Sequence, residues 1–261
     1  MSAGTLYLVP TTLGDDRLAA VIPAAVRERI RTTSYFIAEE PKRARAFLKA
    51  LEHPASLAEL RIEKLGTQTT AVVLDRLLQP ILHGIDAGVL SEAGVPAVAD
   101  PGALLVRRAH ASGIRVVPLV GPSAILLALM ASGLEGQRFT FHGYLPVDER
   151  ELKARLRVLE GESRREQRTE IFIETPYRND RLLRMIVDTC APETLLCVAA
   201  DLTLPDEKIA TRPIDEWRRT PLTLGKRPAV FLLLARAKHG SGEANCRSAS
   251  VPAGRPLRKS D

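Results

Sequence analysis

Short apolar runs alternate along this chain with stretches that carry apolar residues at helical spacing. Residues 6–9 form an apolar run that Pro10 ends, the pattern of a buried strand. A helical pattern follows over 16–31, with Pro23 expected to kink or break it. Residues 35–38 are a second strand, and Glu39-Glu40-Pro41 opens a helix whose Ala44, Phe47, Leu48 and Leu51 share one face. Residues 53–66 read as loop. Thr69 or Thr70 then caps a helix that runs through Leu82, and 88–91 is the next strand.

The stretch from Leu90 to Ser132 organises the rest. It holds two tight elbows, Glu92-Ala93-Gly94-Val95-Pro96 and Val120-Gly121-Pro122-Ser123, each placed between an apolar run and a helical pattern. Gly94 allows main chain to approach a ligand with no Cβ in the way, and Pro96 stiffens the exit. Asp100-Pro101 reads as a helix cap with proline at the first helical position, and Gly113 closes that helix. Residues 114–119 are the following strand, and Ser123 caps an apolar helix ending near Gly133. Strand-to-helix elbows of this kind line the ligand crevice of open parallel sheets.

Beyond them, 138–144 reads as a strand and Leu145-Pro146 as a linker. Leu152, Leu156 and Leu159 give a helix its buried stripe. Residues 170–173, 195–199 and 229–234 are further strands, and Thr175-Pro176 starts a helix that buries Leu182, Leu183, Ile186 and Val187. Arg178, Arg181 and Arg184 recur every third position and can grip phosphates. Strands alternating with helices imply an α/β fold.

Composition changes this picture little. The net charge of +6 suggests a nucleic-acid partner, yet six Lys/Arg and two acids lie beyond residue 235. The remainder carries 31 bases and 29 acids, so its basicity is slight. Cys190, Cys197 and Cys246 have neither metal-ligand spacing nor an even count, and His53, His83 and His110 are dispersed. No metal site and no disulfide framework are expected, and a reducing cytoplasm is the natural setting. The start, Met1-Ser2-Ala3-Gly4, has no signal-peptide pattern, and no window is apolar enough to span a bilayer.

Five segments in order resemble the tetrapyrrole methylase superfamily, the class III S-adenosylmethionine methyltransferases. They are Gly4-Thr5-Leu6-Tyr7-Leu8-Val9-Pro10-Thr11, the elbow at 91–102, the segment 116–124, Gly143-Tyr144-Leu145-Pro146, and Phe172-Ile173-Glu174-Thr175-Pro176-Tyr177-Arg178. Within the superfamily the chain looks most similar to the branch that methylates ribose 2′-hydroxyls of small-subunit ribosomal RNA. Tetrapyrrole-modifying relatives carry a glycine-rich first loop, whereas Pro10-Thr11-Thr12-Leu13-Gly14 keeps one glycine, as the RNA branch does.

The resemblance implies a two-domain α/β fold, each domain a mostly parallel sheet flanked by helices, with a ligand cleft between them. The expected division is an N-terminal domain over 1–120, a C-terminal domain over 121–239 and a disordered basic tail over 240–261. It further implies S-adenosyl-L-methionine as cofactor, held by Ala93, Gly94, Val95 and Val98 at the first elbow and Ser123 and Ala124 at the second. Glu174, Ala200 and Pro228 form the opposite wall. Glu92 is the first choice for accepting the hydroxyl proton and Glu174 the second, ahead of Asp100 and His142. Arg178 and Arg181 are the substrate-binding candidates. Ala38-Glu39-Glu40-Pro41-Lys42 departs from the acidic segment of the RNA branch, so Glu39 and Arg43 read as a solvated helix end. Ribosomal RNA or the small ribosomal subunit is the implied partner, and a homodimer the implied assembly, with the apolar helix at 125–130 available for an interface. The competing readings are a methyltransferase for a tetrapyrrole or other small molecule, and a cofactor-binding paralogue without enzymatic activity.

Overall fold

In the computed structural model, which describes residues 2–14, 17–66 and 68–235, the first half of the chain builds a five-stranded parallel sheet of order β3-β2-β4-β1-β5. Its strands are β1 (Thr5–Val9), β2 (Tyr35–Ala38), β3 (Arg61–Lys64), β4 (Ala87–Leu90) and β5 (Arg115–Pro118). The central strand β4 and its neighbour β2 are buried along their whole length. Their side chains alternate between two cores, because a sheet covered on both faces needs apolar residues on each. Tyr35, Ile37, Ala87 and Val89 face α4 (Ala71–Leu82) and α5 (Gly102–Ala111). Phe36, Ala38 and Leu90 face α1 (Leu18–Val21), α2 (Ala24–Arg31) and α3 (Pro41–Ala50). Pro23 does break the first helix, separating α1 from α2.

This topology positions the site. The chain leaves β1 towards the α1–α3 face and leaves β4 towards the α5 face, although the two strands are neighbours. Where adjacent parallel strands send their connections to opposite faces, a crevice opens at their carboxyl ends. The loops after Val9 and Leu90 flank that crevice.

The second sheet has the order β6-β7-β10-β8-β9, built from β6 (Phe139–Tyr144), β7 (Thr169–Ile173), β8 (Leu195–Ala200), β9 (Lys208–Pro213) and β10 (Ala229–Leu234). It departs from the expected mostly parallel arrangement: β6 and β7 are parallel, and the other three neighbouring pairs are antiparallel. The connections explain this. Helix α7 (Glu149–Glu166) provides the crossover that a parallel β6–β7 pair requires, whereas β8 and β9 are joined by a short loop that permits only an antiparallel return. Helix α8 (Asn179–Thr189) carries the chain from β7 to β8, and β10 fills the space between them, antiparallel to both. Helices α7, α8 and α9 (Ile214–Arg219) cover one face around Phe172, Phe231 and Trp217. Helix α6 (Ala124–Ser132), capped by the Ser123 hydroxyl, covers the other with Ala128 and Leu129.

Strands β3 and β9 and helix α9 are additions to the sequence reading. Both strands are sheet edges with partly exposed, charged sequences, so neither carries the apolar run that marks a central strand. The expected tail at 240–261 lies outside the described residues. Among those residues, no helix is long and apolar enough to cross a membrane.

Candidate active site

Three loops meet at the carboxyl end of the first sheet, and Gly94 stands at their junction. Its carbonyl accepts from the Thr11 amide (2.9 Å) and the Ser91 hydroxyl (3.2 Å), while its amide donates to the Thr12 carbonyl (3.4 Å). The first loop and the first elbow are thereby joined backbone to backbone. Gly94 adopts φ +72°, and a Cβ there would stand 3.0 Å from Leu13 Cδ2 and 3.3 Å from the Pro122 carbonyl oxygen. Both the conformation and the space call for glycine. The second elbow closes the junction, since a Cβ on Gly121 would lie 2.2 Å from Pro10 Cβ and 2.3 Å from Pro10 Cγ.

The rest of the first elbow is strained. Ala97 (φ +67°) and Ala99 (φ +62°) occupy the left-handed region, which costs a non-glycine residue on the order of 1 kcal/mol or more. Asp100 holds the turn in place: its Oδ1 accepts from the Ala97 amide (2.9 Å) and the Gly102 amide (2.7 Å) at the start of α5. Burial pushes the Asp100 carboxyl up, although both hydrogen bonds favour its charged form. Asp100 therefore serves the elbow, as its helix-cap reading anticipates.

Beside the elbow lies a cleft of about 350 Å³. The first loop (Thr11 to Gly14), α3 (Arg43, Ala44, Phe47) and Ser91, Glu92 and Ala93 line it. Glu92 is half-exposed, and its Oε1 lies 2.8 Å from the Arg43 guanidinium. Glu39 departs from its expected place at a solvated helix end. It is partly buried where β2 ends beside β4. Burial foremost, and then the charges of Asp100 and Glu92, push the Glu39 carboxyl above its ordinary range. Three carboxylates thus gather around one elbow. Their convergence depends on strand order, and no local motif announces it.

The remaining candidates gather at one end of the second sheet. Ala200 ends β8, is buried, and pairs with Ala229; the Asp201 amide donates to the Pro228 carbonyl (3.0 Å). Glu174 follows β7, with a side chain 7% exposed whose Oε1 accepts from the Thr175 amide and from Arg178, both at 2.6 Å. That bond raises the Arg178 guanidinium further above its ordinary value. Arg181 stands 3.9 Å from Glu149, and Arg184 lies apart beside Trp217 in a small groove between α8 and α9. The loop after β8 links this end to the first sheet: Arg17 donates to the Thr203 carbonyl (2.7 Å), and Gly14 packs against Leu204. Sequence reasoning missed the 201–204 loop, which has no glycine to announce the positive φ of Asp201 and Thr203.

His142 is placed elsewhere. Its Nε2 lies 2.6 Å from Glu170 Oε2, and Arg155 faces its Nδ1 at 3.2 Å. Glu170 is fully buried and also accepts from Arg168 (2.7 Å). This network ties β6, β7 and α7 of the second sheet together, and it accounts for His142 without a catalytic role.

The junction packs the three loops against one another at Gly94 and Gly121, beside a cleft whose lining includes Glu92 and Arg43. The chain is similar to "Ribosomal RNA small subunit methyltransferase I" of Xylella fastidiosa (strain Temecula1), 34% identical over 200 residues, covering 77% of this chain and 69% of that protein. It is 33% identical over 218 residues to the protein of the same name from Pseudomonas aeruginosa, covering 83% and 72%. The crystal structure of the methyltransferase CobJ shares the fold, with a TM-score of 0.59 at 19% identity over 92% of this chain and 98% of that one. A model of the Tetrapyrrole (Corrin/Porphyrin) Methylases matches residues 5–217, and the chain belongs to that family.

Proposed function

We propose that this chain is an S-adenosylmethionine-dependent methyltransferase that acts on a ribose 2′-hydroxyl of ribosomal RNA in the cytoplasm. The observation that carries the reading is the junction of three loops at Gly94 and Gly121, where packing leaves no room for a Cβ. The names of the relatives support the RNA acceptor. In this reading the two lobes divide near residue 120 and the cofactor lies between them. Ala93, Gly94, Val95 and Val98 hold it from the first elbow, and Ser123 and Ala124 from the second. Glu174, Ala200 and Pro228 close the opposite wall. When bound, the cofactor supplies a methyl group already activated by its sulfonium.

The protein's own part is orientation and proton removal. Glu92 is half-exposed on the cleft wall, and Arg43 fixes its carboxylate. It is the group we assign to accept the hydroxyl proton. Glu39 and Asp100 add negative field beside a cationic ligand, and Asp100 also maintains the elbow. The Oε1 of Glu174 is engaged by Arg178 and the Thr175 amide, which suits this residue to hold Arg178 towards the substrate, with Arg181 beside it. Helix α6 presents Leu126 and Met130, four residues apart on one face, together with Val120. They are 52%, 80% and 71% exposed, and we assign this patch to a homodimer interface.

Incubation of the purified chain with methyl-labelled S-adenosylmethionine and RNA from a strain lacking the protein tests the activity. Label is expected in a 2′-O-methylated nucleoside of ribosomal RNA. Label in a porphyrinoid or in protein would replace the acceptor. No heat of binding with the cofactor or its demethylated product in calorimetry would remove the reading altogether.

A further inference from the structure

The turn after β7 carries an aromatic ring that the fold does not use. Tyr177 is 78% exposed, in the 3-10 turn Pro176–Arg178, and the Lys226 ammonium lies 5.2 Å from its ring centroid. An exposed tyrosine alone means little. The turn that carries this one is fixed on both sides. Pro176 starts the turn, and the Arg178 amide closes it on the Thr175 carbonyl at 2.9 Å. Fully buried Asn179 then donates to the Arg227 carbonyl at 2.6 Å, tying the segment that carries Lys226 to the turn that carries Tyr177.

The charges around the ring are ordered by depth. Arg178 pairs with Glu174, and Arg227 with Asp201. In both pairs the guanidinium is 37% exposed, while the carboxylates are only 7% and 10% exposed. Asp180 is turned inward, accepting from the Leu224 and Gly225 amides. Acids and bases balance in number, yet the outward layer is cationic. A half-exposed second ring, Tyr144, ends β6 opposite Ile173, the residue before Glu174 in the chain. Glu174 and Pro228, which border this patch in the chain, are the residues assigned above to the cofactor wall.

An open aromatic ring under a cationic rim is what an unpaired nucleobase stacks on while its phosphates find the charges. We infer that Tyr177 is a stacking platform for an unpaired base of the RNA substrate, with Lys226 holding a neighbouring phosphate. The inference rests on the RNA reading proposed above and gives that substrate a defined strand character: single-stranded at the point of contact.

The test is fluorescence anisotropy of a labelled single-stranded RNA decamer titrated with the full chain, in the presence of S-adenosylhomocysteine. Tyr177→Ala is expected to weaken binding about 5- to 100-fold, and Tyr177→Phe, which keeps the ring, to bind within about twofold of the parent. Lys226→Met is expected to reduce the slope of log affinity against log salt by about one phosphate contact. Calorimetry should give the same S-adenosylhomocysteine affinity for all four proteins, since the ring is exposed and outside the elbows. Equal RNA binding by Tyr177→Ala and a parent that binds and methylates RNA would overturn the platform alone. A parent that neither binds nor methylates RNA would overturn the proposed function, and the platform with it. A change in sedimentation on Tyr177→Ala would assign the ring to contact between copies of the chain, and so overturn the inference.

Discussion

At the scale of single residues, Glu39 is a group beside the first elbow whose charge the fold disfavours. Burial, then the neighbouring charges of Asp100 and Glu92, raise its carboxyl above the ordinary 4.5. Between 4.5 and that raised value the folded chain holds more protons than the unfolded one, so stability falls as pH rises through the window. The deficit remains at neutral pH. Glu39→Gln keeps the shape of the side chain and removes the charge, so its melting temperature should exceed the parent's at pH 7. The gain should vanish as the pH drops below 4.5, where the parent's carboxyl is protonated in both states. A gain independent of pH, or none, would show that charge is not the cause. Glu92 is legible in the sequence because it stands inside the elbow. The burial of Glu39 is not, because it depends on β2 lying against β4, fifty residues away in the chain.

At the scale of elements, the elbows decide whether three loops can share one space. The β5-to-α6 elbow has the smaller tolerance: the Pro10 ring cannot rotate away from a Cβ at Gly121. Gly121→Ala should lower stability by about 1–3 kcal/mol in urea denaturation, the usual cost of overpacking. It should also weaken cofactor binding in calorimetry, because the loop after β1 must shift. Unchanged values for both would mean that the elbows are not jointly packed in solution. The elbows, the break at Pro23, the caps at Asp100 and Ser123 and the central strands are all local patterns, and the sequence displays them. Edge strands β3 and β9 escape such reading. They bury little, so nothing forces their composition away from that of a loop.

At the scale of the whole molecule, α6 joins two roles. Its Ala128 and Leu129 pack on the second sheet, while Leu126 and Met130 extend into solvent. If the outward stripe is the homodimer interface, the chain should sediment at twice its 28.5 kDa mass, and Met130→Glu should return it to the single-chain value. A parent that sediments as a monomer at micromolar concentration would end that proposal. The helix is apolar almost all round, so its sequence could not separate the buried face from the free one; only its placement on β8, β9 and β10 did. By itself the sequence determined the α/β class, the two elbows and the glycines at their tips, because each follows from interactions between residues close in the chain; the family came from the resemblance of five segments in order. The tertiary structure alone decided which carboxylates gather around the first elbow, that the second sheet is mostly antiparallel, that His142 belongs to an internal network, and that Tyr177 stands open beside Lys226. Each of these depends on contacts between segments far apart in sequence, and a local pattern carries no record of which distant strand will become its neighbour.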